Sequence, residues 1–358
     1  MRIKPIAAAL ATATALTLVG CAANEAGAGA SGSAPAQTLS GTGASSMKAA
    51  QEKWVADFQT ANTGVTVNYS PEGSSAGRSA FIAGAVQFAG SDRPLKDEEM
   101  GAGKFATCAA DSNALNLPVY VSPIAIIFKV EGVDKLSLDP ETVASIFAGK
   151  ITKWNDPAIA KTNPDAKLPD LVITAVHRAD GSGTTNNFTD TLNQLAPAVW
   201  TAAASDDWPA DFKGEAATGT SGVVQSVANG AGTIGYADAS AAKSVGIADL
   251  VVDGKSFTPS AEAAAAIIDA SSTIPGRGEH DLAYKLDRTS EGVYPAVLVS
   301  YAIVCGTYKD AANAKLVKDY IGYISSAEGQ KAAATAAGSA PLSDAIQAKV
   351  KAAVDSIK

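Results

Sequence analysis

The chain has 358 residues, of which 47% are hydrophobic and 18% are charged, and its 28 basic and 36 acidic side chains give a formal net charge of −8. This length predicts two domains, each with enough apolar residues for a core, and the apolar fraction excludes a disordered chain. The acidic balance argues against general nucleic-acid binding, which needs clustered Lys and Arg, and at face value it also argues against an anionic ligand.

Residues 1–20 have the pattern of a secretory signal peptide, in which Arg2 and Lys4 precede a largely apolar stretch. That stretch is shorter than the roughly 18 residues that a membrane-spanning helix needs. The sequence LVGC that ends at Cys21 resembles the lipobox of bacterial lipoproteins; an ordinary signal peptide with an unrelated cysteine is the alternative. We therefore expect lipid attachment at Cys21, a flexible tether over residues 21–37 and a protein anchored to the outer face of the cell membrane.

Two further cysteines, Cys108 and Cys305, remain in the part of the chain that would be exported. In an oxidising compartment a pair of this kind favours a disulfide bond. Two buried free thiols are the alternative.

Apolar segments typical of strands alternate with amphipathic segments typical of helices along the chain. The predicted strands include residues 65–69, 117–130, 171–176 and 296–305, and the predicted helices include residues 47–61, 139–147, 221–228 and 311–325. Near-continuous apolar strands separated by helices indicate an α/β architecture whose strands are covered on both faces.

Three loops rich in Gly, Ser and Thr stand beside apolar segments and directly before helical patterns, at residues 41–46, 73–77 and 181–185. The N-terminus of a helix presents unpaired N–H groups and a partial positive charge, and glycine lets an anion approach the backbone closely. Each loop alone is more typical of a plain helix cap or turn than of an anion site. Three of them in one chain favour a shared anion site.

Little in the sequence indicates a metal or a cofactor. The two histidines are His177 and His280, and no HExxH, CxxC or Walker A motif occurs. The pattern G-x-G-x-x-G occurs at residues 27–32 and 230–235, but the second occurrence does not open a helix after a strand, so we expect no dinucleotide site and no cofactor.

An enzymatic alternative rests on residues 73–77, GSSAG, which fit the G-x-S-x-G pattern of hydrolases with Ser75 as the nucleophile and His177 or His280 as the base. A hydrolase fold places the serine, the acid and the histidine in this order, with the histidine late in the chain, so His280 would have to serve from a polar loop. We therefore expect no enzyme.

Two charged residues beside these loops carry more information. Arg178 precedes the loop GSGTT and can donate two hydrogen bonds to a tetrahedral oxyanion, while Asp180 can hold its guanidinium in place. A surface ion pair of little energetic value is the alternative. Asp92 lies in the segment FAGSDRPL, where capping of a helix at residues 97–100 is an equal alternative.

These segments resemble motifs of the phosphate-binding proteins of bacterial phosphate ABC transporters. HRADGSGTT resembles that family's RADGSGT motif, GSSAG its GSSGG, VQFAGSDRPL its VDFGASDAPL and GTGASS its GAGATF, in order from about residue 40 to residue 341. Carried over by position, the resemblance implies phosphate ligands at Ser45, Ser46, Ser74, Asp92, Arg178, Ser182, Gly183 and Thr184. It implies that Asp180 supports Arg178.

The resemblance also implies a two-lobed periplasmic-binding-protein-like fold, with two α/β domains and a ligand cleft between them. By position, residues 38–118 and 296–358 form the first domain and residues 119–295 form the second. Cys108 and Cys305 then both lie in the first domain, which suits a disulfide. The implied partners are inorganic phosphate, the permease subunits of an ABC importer and, through the lipid, the membrane. We expect a monomer that binds no nucleic acid.

The chain departs from the family pattern at two positions. Ser45 and Ser46 stand where the family often has Thr and Phe, so an aromatic wall of the site is missing. Ala76 stands where the family has glycine, and its methyl group is expected to crowd an anion near the backbone.

The residue types predict how the site selects its ligand. Near neutral pH phosphate retains a proton and sulfate does not, and an ionised Asp92 can only accept a hydrogen bond. A site built around one hydrogen bond rejects an analogue that lacks it by a factor of about 10⁴–10⁵. A phosphate-releasing hydrolase and a binding protein for another tetrahedral oxyanion are the remaining alternatives.

Overall fold

The computed structural model describes residues 37–358. The predicted signal peptide, Cys21 and all but the last residue of the predicted tether lie outside the described residues. Within residues 37–358, no helix combines the length and the apolar character needed to cross a membrane.

Strands and helices alternate along the described chain. The strands are β1 (Gln37–Gly43), β2 (Val65–Ser70), β3 (Phe88–Ser91), β4 (Ala114–Lys129), β5 (Ser137–Leu138), β6 (Thr174–Arg178), β7 (Glu215–Ala217), β8 (Thr233–Asp238), β9 (Gly246–Val252), β10 (Lys255–Phe257), β11 (Ser272–Thr273), β12 (Tyr284–Lys285) and β13 (Val297–Cys305). The α-helices are α1 (Lys48–Ala61), α2 (Ser74–Ile82), α3 (Pro140–Phe147), α4 (Pro157–Thr162), α5 (Gly183–Leu195), α6 (Gly219–Asn229), α7 (Ala261–Ala270), α8 (Ala311–Ser325), α9 (Ala327–Ala337) and α10 (Asp344–Ser356). Short 3₁₀-helices lie at Asp97–Glu99 and Ala239–Ala241.

One large mixed sheet organises the protein, with the strand order β2-β1-β3-β13-β4-β8-β6-β7 and with β5, β9 and β10 attached beside β4. Strand β1 runs parallel to β2 and β3, and β6 runs parallel to β7 and β8. The central strands β4 and β13 run antiparallel to each other. The predicted α/β fold class is confirmed.

The long strand β4 joins the two parts of this sheet. Its residues 114–123 pair with β13, whereas residues 124–129 pair with β8. We call β1, β2, β3 and β13 the β1 part of the sheet, and β6, β7 and β8 the β8 part. The domain boundaries at residues 118 and 296 stay a prediction.

Large aromatic side chains fill the space between the sheet and its helices. Trp54 on α1 is fully buried and donates a hydrogen bond from Nε1 to the carbonyl oxygen of Gly329 at 2.6 Å. Trp154 is also buried and donates to the carbonyl oxygen of Gly232 at 2.9 Å. Because each indole N–H has a partner, these rings bury their apolar area without leaving a polar group unpaired.

A disulfide bond joins Cys108, in the loop after β3, to Cys305 at the end of β13, with a Cα–Cα distance of 5.3 Å. Both residues are buried against the β1 part of the sheet. The predicted pairing of these cysteines is thus confirmed, and the alternative of two free thiols is wrong for this structure.

The predicted element bounds hold within three residues, with one informative shift. Residues 171–176 were predicted to be a strand, but β6 begins only at Thr174. Val172 instead forms an isolated bridge with Lys153, and its side chain is 60% exposed. Hydrophobicity alone does not show at which residue of an apolar segment the strand begins.

Candidate functional site

Four helices begin within five residues of the carboxyl ends of the strands β1, β2, β6 and β7. Helices α1, α2, α5 and α6 follow β1, β2, β6 and β7, respectively. The group of β1 and β2 runs antiparallel to the group of β6 and β7. The carboxyl ends of the two groups therefore face each other along β4 at one inner edge, and in α/β folds ligands bind at such carboxyl ends. The three loops rich in Gly, Ser and Thr do lead into helices, as predicted. The loop before α6 is a fourth loop at this position, and the sequence did not single it out.

Asp92 follows β3 and lies at the centre of this edge, where it is only 2% exposed. Its Oδ1 accepts hydrogen bonds from the hydroxyl groups of Ser46 at 2.6 Å and Ser300 at 2.8 Å. Its Oδ2 accepts one from Thr184 at 2.9 Å. The carboxyl group thus joins the loop before α1, the first turn of α5 and strand β13. It does not cap the 3₁₀-helix, whose preceding residue is Lys96.

The first turn of α2 contacts the first turn of α5 beside Asp92. The Asp92 backbone N–H donates to the hydroxyl oxygen of Ser74 at 3.1 Å, so Ser74 keeps its own proton for another acceptor. A Cβ atom at Gly183 would lie 2.6 Å from Ser74 Oγ and 2.7 Å from Asp92 Cβ. Only glycine permits this approach.

Ser45 connects the loop before α1 to the start of α6. Its Oγ lies 3.0 Å from Thr220 Oγ1 and accepts a hydrogen bond from the Thr220 backbone N–H at 3.1 Å. Since Ser45 precedes α1 and Thr220 follows β7, this contact joins the β1 part of the sheet to the β8 part.

Arg178 ends strand β6, and its buried guanidinium is oriented by Asp180. Its Nε donates to Asp180 Oδ1 at 2.8 Å, and its Nη2 donates to Asp180 Oδ2. The backbone N–H of Gly219 also donates to Asp180 Oδ1 at 2.8 Å. Burial alone raises the pKa of Asp180, but Arg178 outweighs burial and leaves that pKa below its usual range. The two residues therefore form an oriented ion pair with both partners charged.

Ser182 is the N-cap of α5, because its Oγ accepts a hydrogen bond from the Thr185 N–H at 3.2 Å. A hydroxyl group that accepts in this way still has a proton to donate. The Ser182 backbone N–H donates to the carbonyl oxygen of Asp206 at 2.9 Å.

A buried group of four charges lies next to the site and was missed in the sequence. Asp206, in the loop between α5 and β7, accepts hydrogen bonds from Arg78 on α2 and from Arg93 after β3. Both arginines also contact Glu99. Arg93 stands directly after Asp92, but no pattern in the sequence links it to Asp206, which is distant along the chain.

The electrostatics of Asp92 follow from its surroundings. Burial raises its pKa, and the hydrogen bonds from Ser46, Ser300 and Thr184, together with the charge of Arg178, act in the opposite direction. The net pKa remains above the usual aspartate value. Loss of one of these donors would therefore raise the pKa of Asp92 further.

The hydrolase geometry is not found. Within residues 37–358, the side-chain hydrogen bonds of Ser75 Oγ go to Arg78 and Asp206, and neither partner is a histidine. His177 instead stacks on Trp208 with a ring-centroid distance of 4.7 Å. The same part of the chain contains no cluster of three or more His, Cys, Asp or Glu side chains that could hold a metal ion.

The expectation that Ala76 crowds the site is wrong, because this residue is exposed on α2. The close approach occurs at the next residue, Gly77, where a Cβ atom would lie 2.6 Å from the Cα of Gly43. The remaining Gly-rich pattern, at residues 230–235, connects the end of α6 to β8 and so lacks the strand-to-helix order of a dinucleotide site.

Comparison with known proteins decides the family. A family model described as the PBP superfamily domain matches residues 28–328. A phosphate-binding protein of Mycobacterium tuberculosis, PstS 3, is 36% identical over 293 residues, which cover 80% of this chain and 78% of that protein. A second one from the same species, PstS 2, is 32% identical over 355 residues and covers 96% of this chain and 95% of its own. This chain belongs to the phosphate-binding protein family.

A solved structure agrees with this membership at the level of the fold. A high-affinity periplasmic phosphate-binding protein with bound phosphate superimposes with a TM-score of 0.69 at 24% identity and covers 88% of this chain and 93% of its own. The resemblance stated from the motifs is confirmed, and so is the periplasmic-binding-protein-like fold. Both relatives are named as phosphate-binding proteins.

Proposed function

We propose that this protein binds inorganic phosphate outside the cytoplasm and delivers it to the permease of an ABC-type importer. The single observation that carries the proposal is the buried carboxylate of Asp92, which lies among hydroxyl donors and helix N-termini and near the oriented guanidinium of Arg178. This arrangement offers many donors and one acceptor, which matches a tetrahedral oxyanion that still carries a proton.

The proposed phosphate contacts divide by chemistry. Arg178 supplies a positive charge, and the hydroxyl groups of Ser45, Ser74 and Ser182 supply O–H donors, whereas the Thr184 hydroxyl group donates to Asp92. Ser46, Gly183 and Thr184 add backbone N–H groups at the helix starts, where the helix has no acceptor for them. The hydroxyl group of Ser46 donates to Asp92 and not to the anion. Ser46 would therefore contact the anion through its backbone N–H and Asp92 through its side chain.

Discrimination against sulfate follows from the one acceptor. A protonated phosphate donates to Asp92, whereas sulfate has no proton to donate and would place its charge beside an unpaired carboxylate. The proposal therefore predicts strong rejection of sulfate and much weaker rejection of arsenate, which has the same protonation pattern.

We also propose that the protein is a two-lobed monomer that closes over the ion, with domains at residues 38–118 plus 296–358 and at residues 119–295. The pairs Ser45–Thr220 and Arg93–Asp206 support this, because each joins the β1 part of the sheet to the β8 part. Closure of two lobes buries the ligand and presents one closed surface to the permease. Lipidation at Cys21 would tether the protein to the outer face of the membrane.

Titration calorimetry on phosphate-stripped protein with phosphate, sulfate, phosphite and arsenate tests this function. We expect tight binding of phosphate and no measurable heat with sulfate at neutral pH. Equal affinity for sulfate would contradict the proposed selectivity, and no binding of phosphate would contradict the function. A phosphomonoester turnover assay on the same sample separates the hydrolase alternative, for which we expect no activity.

The variant Asp92→Asn tests the role of the carboxylate. An amide of the same shape can donate a hydrogen bond, so we expect sulfate to bind and the ratio of phosphate to sulfate affinity to fall by at least about 100-fold. Asp170→Asn, at an exposed carboxylate that pairs with Lys153, is the matched control. An unchanged ratio in Asp92→Asn would remove Asp92 from selectivity.

A further inference from the structure

Three hydroxyl groups donate hydrogen bonds to Asp92, and one of them belongs to Ser300, which is not among the implied phosphate ligands. Ser46 and Ser300 both donate to Oδ1, at 2.6 and 2.8 Å, while Oδ2 accepts a single bond from Thr184. The two oxygens of the carboxylate are therefore unequal, because Oδ1 already has two donors and Oδ2 has a remaining site for another.

Ser300 lies beside Asp92 because β13 pairs antiparallel with β3, with Tyr301 opposite Ser91. It lies in β13, whose sequence VLVSYAIVC is otherwise almost entirely apolar, and it is fully buried. The register between β13 and β4 shifts between Ser300 and Tyr301. A buried hydroxyl group is costly without a hydrogen-bond partner, and the partner of Ser300 Oγ among the described residues is Asp92. Strand β13 thus contributes one buried hydroxyl group, which donates a hydrogen bond to Asp92.

Ser46 supplies the second donor at a position where related proteins often carry an aromatic residue. Its side chain is 2% exposed, and its hydroxyl group donates to the same oxygen as Ser300. The departure from the family pattern at this position therefore changes the environment of Asp92 and not only the wall of the site.

We propose that Ser46 and Ser300 are positioning residues for selectivity: their two donors keep Asp92 ionised and direct its Oδ2 toward the ligand, so that sulfate is still rejected in acidic surroundings. This rests on the proposed function, because it assumes that Asp92 faces a bound tetrahedral oxyanion. The physical reason is that an ionised carboxylate accepts only, whereas a protonated one donates a hydrogen bond and so accommodates sulfate.

The charged groups around Asp92 do not by themselves keep its carboxyl group ionised, so the hydroxyl donors have this role. Arg178 on β6 favours the ionised form, and burial opposes it. Asp238 at the end of β8 repels Asp92, and Tyr69 on β2 is a neutral neighbour whose pKa is raised well above the usual value by burial and by Asp92. Arg93, the next residue, is committed to Glu99 and Asp206. Removing one hydroxyl donor therefore raises the pKa of Asp92 further.

The test measures phosphate binding by calorimetry with and without an excess of sulfate, between pH 4.5 and pH 8. In the wild-type protein and in Ser325→Ala, which removes a buried hydroxyl group bonded to Ile321 in α8, sulfate begins to compete only at the acidic end. In Ser300→Ala we expect competition to begin at a clearly higher pH, while phosphate affinity at pH 8 changes less than about threefold. Ser300→Thr keeps the hydroxyl group and is expected to restore the wild-type profile.

Ser46→Ala is the second variant and keeps the inference testable if Ser300→Ala fails to fold, as judged by thermal unfolding. It is expected to show the same displacement of the pH profile. An onset of sulfate competition that matches the wild type in both alanine variants would overturn the inference. Absence of phosphate binding by the wild-type protein at every pH would instead overturn the proposed function, so the two failures are distinguishable.

Discussion

Arg93 donates hydrogen bonds to both carboxylate oxygens of Asp206, from Nε at 3.0 Å to each oxygen and from Nη2 at 2.8 Å to Oδ2. Arg78 donates to the same carboxylate, and Glu99 contacts both arginines. Arg93 follows β3, whereas Asp206 lies in the loop before β7, so this buried group ties the β1 part of the sheet to the β8 part. Asp206 is thus the acidic partner that holds the two parts together beside the site.

Replacement of Asp206 by Asn is expected to weaken phosphate binding by about 10- to 100-fold, mainly through faster dissociation. The loss of one charge leaves two buried guanidinium groups with fewer partners in the closed form. Stopped-flow measurement of phosphate release checks this, with Asp170→Asn at an exposed ion pair as the control. A dissociation rate equal to that of the wild type would show that the Asp206 contacts do not stabilise the closed form.

Replacement of Arg178 by Ala is expected to lower phosphate affinity by about tenfold or more, which is the scale of one lost charge-assisted hydrogen bond. Arg178→Lys keeps the charge but loses the planar fork that Asp180 orients, so an intermediate loss is expected. Asp180→Asn should give a smaller loss, because the guanidinium stays but is held less firmly. Calorimetry on the three variants checks this order, and wild-type affinity in Arg178→Ala would contradict the assignment.

Asp238 at the end of β8 is expected to make the protein less stable as the pH rises from about 4 to about 6. Burial raises the pKa of Asp238 to about 6, and the hydrogen bond from the Ser240 backbone N–H compensates only in part. Because the folded state binds the proton more tightly than the unfolded state, the free energy of unfolding falls across this interval, by about 2–4 kcal/mol.

Denaturant titrations of the wild type and of Asp238→Asn at pH values from 4 to 8 measure this effect. Asparagine keeps the shape and the acceptor for the Ser240 N–H, which lies 2.9 Å from Oδ1, but it does not ionise. The variant is therefore expected to lack the fall in unfolding free energy between pH 4 and pH 6. Parallel pH profiles for the two proteins would contradict the raised pKa.

The disulfide between Cys108 and Cys305 spans a sequence separation of 197 residues. A cross-link over a loop of this length restricts the unfolded chain, so its loss is expected to lower the free energy of unfolding by about 3–5 kcal/mol. The double variant Cys108→Ser/Cys305→Ser, compared with the wild type in denaturant under oxidising conditions, measures this. Under reducing conditions the difference between the two proteins should largely disappear; if it persists, the serine substitutions act through packing instead.

Some features of the site followed directly from local sequence. The loops at residues 41–46, 73–77 and 181–185 were predicted to lead into helices because capping and glycine preferences act over only a few residues. Arg178 and Asp180 were paired in advance for the same reason, since two positions separate them in the chain. The strand β13 was predicted within one residue from its continuous apolar pattern.

Other features of the site had no local signal. Ser300 stands in an apolar strand, and nothing around it indicates that the pairing of β13 with β3 brings its hydroxyl group to Asp92. Thr220 and Asp206 lie in segments without a motif, and their partners Ser45 and Arg93 are more than 100 positions away in the chain.

The amino-acid sequence by itself determined the fold class, the family, the helix-opening loops and most of the proposed ligand set, because propensity, capping and motif order are properties of short segments. It also showed two cysteines suited to pairing. Only the tertiary structure decided that the carboxyl ends of β1, β2, β6 and β7 meet around Asp92, that Ser46 and Ser300 share one of its oxygens, and that Asp206 joins the two parts of the sheet. These contacts depend on the pairing of distant strands, and a local pattern carries no record of which distant segment will pair with it.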